Sequence, residues 1–458
     1  MTLLQGFLLL LLVAFLAGAV AWSLHRLDRL AAIGAAYKAK VVSAVVFGTG
    51  RSVDPSRLDE VSADSYWPMR LFRCSIDPQA QSVTASLWGF SPRTVVFNEF
   101  ADNGRMPSSE RTSPNANRTG PAADPLRPAA DRAWSVTAQP AIDRVVAAAF
   151  LEPNRRRLRR TRAVLVLHEG RIVAERYSSG FNERTRFPGW SMTKSVLGAL
   201  LGVLVADGRL ALSDRALMPG WQEPDPRAAI RVEDLLRMRS GLAFSEDYAD
   251  LASDVIEMLF NQADTAEYAA SRPLVAPPGT VWSYASGTTN ILSAIARRIV
   301  GEAAYTSWPR RALFSRIGMA SALVESDASG TFVASSFMLA TARDWARLGQ
   351  LYLQDGEWDG QRILPEGWVR FNTTPTPQSP DGIYGAHWWL GLKPELGGGT
   401  AAAARLPRDT FFAVGHEAQV LTVIPSRRLV VIRLGLSIYI DAWNHASFLA
   451  ELLDALPG

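Results

Sequence analysis

Cysteine is almost missing: Cys74 is the only one in 458 residues, which excludes an intrachain disulfide and a cysteine-built metal site. Histidine is nearly as scarce. There are five, none at His-x3-His spacing, so a zinc site finds little support and no metal or other cofactor is expected. The third shortage is lysine. Basic charge resides almost entirely in arginine, the only lysines being Lys38, Lys40, Lys194 and Lys393, so each of the four asks for a specific explanation. The net charge of +4 is weakly basic for this size, and 48% apolar with 20% charged residues is ordinary for a globular protein.

The densest basic run is Arg155-Arg156-Arg157-Leu158-Arg159-Arg160-Thr161-Arg162. It reads either as a solvated helix end leading into a strand or as a patch for an anionic partner. No zinc-knuckle, helix-turn-helix or aromatic–basic pattern accompanies it, so no nucleic-acid partner is expected.

Four segments follow from the pattern. Residues 1–25 form a transmembrane or signal-anchor segment: Thr2 to Leu24 carries no charge and is long enough to cross about 30 Å of hydrocarbon as a helix. Ala19-Val20-Ala21 resembles a small-residue cleavage site, but no basic region precedes the apolar run and Arg26 and Arg29 follow it. Residues 26–100 form a small strand-rich unit, with β-prone stretches at Val41–Phe47, Ser82–Leu87 and Arg93–Phe97. Residues 101–135, rich in Pro, Ser and Arg and without periodicity, form a flexible connection. Residues 136–458 form the main domain. There, helical spacing over Ile142–Leu151 precedes a hairpin, Ala163–Leu167 with Arg171–Tyr177, turning at Glu169-Gly170. A second hairpin, Gln419–Ile424 with Leu429–Leu434, precedes a closing helix over Trp443–Leu456. Strands at both ends with helices between them predict an α+β fold: an antiparallel sheet flanked by helices, beside a mostly helical subdomain.

The sharpest chemical signal is Gly189-Trp190-Ser191-Met192-Thr193-Lys194-Ser195. Serine and lysine three residues apart share one helix face, with Cβ atoms about 5–6 Å apart. A serine hydroxyl needs a base to become a nucleophile, and lysine serves only if burial or a neighbouring cation lowers its pKa. The apolar run Val196–Leu201 supplies that burial. Ser-x-x-Lys alone is a weak motif; a lysine entering an apolar helix in a chain almost devoid of lysine is a stronger one. Trp282-Ser283-Tyr284-Ala285-Ser286-Gly287 follows a Pro277-Pro278-Gly279 turn and precedes a helix over Asn290–Val300. Tyr284 is there either a packed loop aromatic or a proton carrier for Lys194 and the leaving group. Gly415-His416-Glu417-Ala418-Gln419 opens the penultimate strand, where backbone amides can complete an oxyanion hole, although His416 alone reads equally as a structural histidine.

The order of these elements resembles the serine β-lactamase and penicillin-binding family in its class C branch. That branch includes D-alanyl-D-alanine carboxypeptidases, esterases and 6-aminohexanoate-dimer hydrolases. Ser191-Met192-Thr193-Lys194 stands as the Ser-x-x-Lys element, Tyr284-Ala285-Ser286 in the Tyr-x-Asn position and His416-Glu417-Ala418 in the Lys-Thr-Gly position. The similarity runs from about Asp143 to the end; Ser283–Asn290, Ala340–Arg347 and Trp388–Gly391 are most like the aminohexanoate-dimer hydrolases. The resemblance implies acyl transfer through a Ser191 acyl-enzyme on a small amide, ester or peptide. Lys194 and Tyr284 would act as general base and acid, either of them being the base in a given step. The amides of Ser191 and Gln419 would hold the oxyanion, with His416, Ser286 and Trp389 contacting substrate. Ser286 in place of asparagine, His416 in place of lysine and Ala418 in place of glycine argue against efficient β-lactam hydrolysis. Members with a similar apolar N-terminus are exported, which implies a bacterial inner-membrane protein with a periplasmic catalytic domain. The pocket walls are expected from Phe244–Tyr248, Phe332–Phe337, Tyr384–Trp389 and His416, with Trp388 and Trp389 as either cleft lining or core. The competing reading is a catalytically inactive binding protein of the same fold at the membrane.

Overall fold

The computed structural model describes residues 3–97 and 134–456, apart from 50, 52–53, 55–57, 135, 138 and 216. The connection expected over 101–135 lies outside the described residues but for Trp134.

One helix runs without interruption from Leu3 to Ser43. Its side chains are exposed from residue 10 to residue 30, including Phe15 and Leu10, and this stretch is long and apolar enough to cross a membrane. From Ala31 onward the same helix is buried. It packs there on a three-stranded antiparallel sheet of Phe72–Asp77, Ser82–Leu87 and Phe90–Val96, with Ala35, Ala39, Val42, Val83 and Val95 sharing one apolar cluster. Helix and sheet therefore make one unit, and no break separates the apolar segment from it at residue 25. Val41–Phe47, expected as a strand, ends this helix and enters the wide turn Ala44–Gly48. Its β-branched residues do seek burial, but they find it on a helical face against the small sheet, so tertiary packing overrides β-propensity.

The unit is docked on the main domain by buried charge. Lys40 pairs with Glu325, and its ammonium lies 4.5 Å from the centre of the Phe337 ring. The more exposed Arg29 reaches Glu257 at 2.7 Å, while within the unit Lys38 donates to the carbonyls of Met69 and Phe72 at 2.9 and 2.7 Å and ties the helix to the small sheet. The end of the arginine run faces this interface: Arg162 bonds Glu60 at 2.8 Å and Arg160 pairs with Asp59 and Asp64. Arg155, Arg156 and Arg157 are exposed, as the solvated reading expects.

The main domain is built on a five-stranded antiparallel sheet in the spatial order Phe411–Gly415, Gln419–Ile424, Leu429–Gly435, Thr161–His168, Arg171–Tyr177. The two terminal hairpins thus meet through the pairing of Leu429–Gly435 with Thr161–His168. The first hairpin turns at Glu169 (φ 51°) and Gly170 (φ 73°), the left-handed pair that a two-residue hairpin turn requires. Helices Pro140–Ala148 and His445–Ala455 belong to the apolar cluster on one face, with Val164, Val166, Val420 and Val431. Helices Thr193–Ala206 and Ala342–Leu353 belong to the cluster on the other, with Leu165, Leu421 and Ile432. Thr193–Ala206 is buried from Thr193 to Leu204, each large apolar side chain contributing about 1.5–3 kcal/mol of transfer free energy. A helical region completed by Asp254–Asn261 and Ser286–Val300 closes the far side, the latter starting four residues earlier than its sequence pattern suggests.

Candidate active site

The turn that carries Ser191 joins a short strand, Phe187–Pro188, to helix Thr193–Ala206. Trp190 is forced to φ 49°, an unfavourable conformation for a bulky residue that costs about 1–3 kcal/mol. Its indole nitrogen donates to Glu417 Oε2 at 3.3 Å, and its ring packs edge-on against His416. Gly189 and Gly415 let the turn approach the sheet edge. A Cβ on Gly415 would meet the Gly189 carbonyl oxygen at 2.1 Å, and one on Gly189 would meet the Trp345 ring at 2.2 Å.

Ser191, half-buried, follows this turn, and Lys194 Nζ lies 2.9 Å from its Oγ. Lys194 is 1% exposed. Its other neighbours are Ser286 Oγ at 3.0 Å and the Ser335 carbonyl at 2.9 Å. Ser335 is positioned by its amide, which donates to Asn290 Oδ1 at 3.1 Å. Glu246 accepts from both the amide and the hydroxyl of Ser286, at 2.7 and 2.5 Å. The donor count is informative. A carbonyl can only accept, and Ser286 gives its proton to Glu246, so both groups must accept from Lys194. The ammonium donates to these two and to Ser191 Oγ; once neutral, the amine keeps its two N–H bonds and turns its lone pair to the Ser191 hydroxyl.

Electrostatics act in the same direction. Burial pushes Lys194 down to about 8; the Glu246 carboxylate opposes this and Lys393 adds to it. Burial raises Glu246 above the usual carboxylate range, with Lys194 pulling it back. The Tyr284 phenol is raised by burial and by Glu246, with the Ser191 hydroxyl acting against the rise. Its ring centre lies 5.0 Å from Lys194 Nζ and 5.2 Å from the Trp389 ring.

The two tryptophans divide between the alternatives. Trp388 is core, packed on Tyr352 at 4.4 Å and Phe411 at 5.0 Å. Trp389 extends the sheet by exchanging backbone hydrogen bonds with Phe412 and presents its ring to Tyr284. His416–Ala418 forms a tight turn with Glu417 at φ 60° and Ala418 at φ 62°, held from behind by Arg433, which donates to the carbonyls of both residues at 3.3 and 2.9 Å. Gln419 is held by the neighbouring backbone. Its side chain exchanges two hydrogen bonds with the Gly435 backbone, and its amide donates to the His416 carbonyl. That amide is therefore engaged within the protein, where the sequence suggested an oxyanion donor. His416 stacks on Tyr248 at 4.9 Å and meets the Tyr66 hydroxyl at 3.0 Å; burial pushes it down to about 4, so it is neutral. The Tyr66 hydroxyl also donates to Glu417 Oε1 at 3.0 Å. Burial raises Glu417 to about 7.

The structure thus brings Ser191, Lys194, Tyr284 and Ser286 together, with Trp389 beside Tyr284 and His416 beside Trp190. Sequence reasoning missed Glu246, Lys393 and Tyr66. Glu246 lay inside a segment expected to wall the pocket, and Lys393 was conspicuous as one of four lysines; nothing marked Tyr66. Among the described residues no group of His, Cys, Asp and Glu is arranged to hold a metal. A separate recess lined by Tyr37, Lys40, Phe181, Phe337 and Glu417 includes none of Ser191, Lys194 and Tyr284.

A sheet of this order, carrying a Ser-x-x-Lys pair where a helix begins against its edge, defines a β-lactamase and transpeptidase-like α+β protein. The chain belongs to the beta-lactamase family, whose model matches residues 146–435, and is a serine hydrolase of that family. It is 28% identical over 281 residues to the 6-aminohexanoate-dimer hydrolase of Paenarthrobacter ureafaciens, covering 55% of this chain and 70% of that protein. Among solved structures, EstCE1, a hydrolase with promiscuous acyltransferase activity, matches with a TM-score of 0.54 at 15% identity over 69% of this chain and 97% of its own. A family VIII carboxylesterase matches with a TM-score of 0.51 at 16% identity over 69% and 98%. These two likenesses are of fold.

Proposed function

We propose that this protein is a membrane-anchored amidase or esterase that works through a Ser191 acyl-enzyme, with Lys194 as the base and Tyr284 as the acid. The observation that carries the reading is the 2.9 Å approach of Lys194 Nζ to Ser191 Oγ inside a hydrogen-bond set that a neutral amine satisfies. Opposite pKa shifts divide the roles. Lys194 is lowered toward neutrality, so it can take the Ser191 proton as Oγ attacks the carbonyl carbon. Tyr284 is raised, so it stays protonated and can give its proton to the leaving amine or alkoxide. Lys194 then passes its proton to the Tyr284 phenolate, which resets both groups; water attacks the ester carbonyl carbon as Lys194 takes its proton, and the bond to Ser191 Oγ breaks with that proton returned to Oγ as the acid product leaves. The Ser191 amide is the proposed oxyanion donor.

The first helix would hold the enzyme at a bacterial inner membrane with the catalytic domain on the periplasmic side; its exposed apolar stretch supports an anchor. The test uses the full chain in detergent against p-nitrophenyl esters, an aminohexanoate dimer, a D-Ala-D-Ala peptide and a chromogenic cephalosporin. Turnover of an ester or amide, lost in Ser191→Ala, is expected. A wild type that neither turns over nor forms an acyl adduct by mass spectrometry would refute catalysis and leave a binding protein. Protease protection in spheroplasts tests the orientation.

A further inference from the structure

Three of the four lysines are accounted for: Lys38 and Lys40 dock the N-terminal helix, and Lys194 faces the nucleophile. Lys393 is not. It stands half-buried beside the site, its ammonium 4.7 Å from the centre of the Trp389 ring and 5.5 Å from that of Tyr284. Among the described residues it has no ion pair or side-chain hydrogen bond, although Glu395 and Glu246 are near enough to act on its charge. Its stem is fixed. The Lys393 carbonyl accepts from the amides of Leu396 and Gly398 at 3.0 Å each, and Leu396 is fully buried in the sheet cluster that includes Trp443 and Ala446. A cation held over two aromatic faces, desolvated on one side and unpaired on the other, is arranged to receive an anion.

We propose that Lys393 is the anion-binding group of the cleft, and that the enzyme prefers substrates whose acyl part ends in a carboxylate. The proposal rests on the hydrolase reading above and names the substrate class for the same site. It also answers the lysine replaced at position 416: His416 is neutral, and Lys393 supplies a cation from beside Trp389 and Tyr284.

Geometry limits the substrate's length. Lys194 and Lys393 both face the Tyr284 ring, so their nitrogens lie within about 10.5 Å of each other. At about 1.2 Å per bond of extended chain, with about 2.8 Å for the hydrogen bond to the ammonium, a carboxylate up to about seven bonds from the scissile carbonyl falls within that limit.

The test compares kcat/KM for the p-nitrophenyl half-ester of adipic acid with that for the same compound capped as its methyl ester, at one pH and with the full chain. Because Lys393 also acts on Lys194, the ratio is the readout: a change in base strength affects both substrates and cancels. The wild type is expected to favour the anionic substrate by about 10- to 100-fold, the range of a charge-assisted hydrogen bond. In Lys393→Met the ratio should fall toward one, and Lys393→Arg should restore much of it. A wild-type ratio at or below one, or a ratio unchanged in Lys393→Met, overturns the proposal. If the variant does not fold, competition in the wild type decides: free adipate should inhibit and adipamide should not, and equal inhibition overturns it. Turnover of the methyl-capped ester, lost in Ser191→Ala, separately tests the hydrolase reading.

Discussion

The proposed role of Lys194 as base has a quantitative consequence. With the base at about 8, about one enzyme molecule in eleven carries neutral Lys194 at pH 7 and about one in a hundred at pH 6. For a neutral ester, kcat/KM should therefore rise with unit slope through pH 6–7, bend near 8 and level above 9, about 90-fold in all from pH 6 to pH 9. The charged and titratable groups facing the ammonium are Glu246, Lys393, Tyr284 and His387. Burial pushes His387 down to about 3 and Tyr284 is raised, so neither changes charge in this window. Glu246 favours the protonated lysine. Glu246→Gln should lower the Lys194 pKa and move the acidic limb to lower pH by about one unit. Stopped-flow or plate-reader assays with buffer overlap suffice, with circular dichroism confirming a folded protein at each pH. A profile flat from pH 6 to 9, or a limb that rises in Glu246→Gln, would refute Lys194 as the base.

Three other outcomes follow from the geometry. Ser286→Ala removes an acceptor from Lys194 and a donor from Glu246, so kcat should fall about 10- to 100-fold with the protein still folded, measured by steady-state kinetics. Gly415→Ala drives a methyl into the Gly189 carbonyl and should cost about 2–4 kcal/mol of stability, read as a lowered Tm together with lost activity. Tyr66→Phe deletes a hydroxyl shared by His416 and Glu417. A loss of about 1–2 kcal/mol by chemical denaturation is expected, and a neutral result would show that the N-terminal unit does not brace the sheet edge.

Much of the fold was legible because its signals are local. Both terminal hairpins could be placed from alternation and turn chemistry: Glu169-Gly170 requires two left-handed residues, and Pro425 with Arg428 closes the other turn. The α+β class followed from strands at both ends of the chain. Val41–Phe47 misled, because an apolar β-branched run states only that it will be buried, and here a preceding helix carried it into that burial. The end of the arginine run misled similarly. Composition shows charge, but the carboxylates that pair with Arg160 and Arg162, namely Asp59, Glu60 and Asp64, lie about a hundred residues earlier in the chain.

The sequence by itself determined the pairing of Ser191 with Lys194. A helix repeat brings Ser191 and Lys194 to one face whatever the rest of the chain does, and the apolar run after Lys194 commits that lysine to burial. Only the tertiary structure decided the rest. Glu246 reaches Ser286 across 40 residues, Ser335 reaches Lys194 across 141, and Tyr66 reaches His416 across 350. His416 stands where the resemblance has a lysine, and Lys393, the cation proposed to serve in its stead, comes from another loop. No periodicity encodes such contacts, because a site charge is set by which groups the fold brings within a few ångströms, not by their order along the chain.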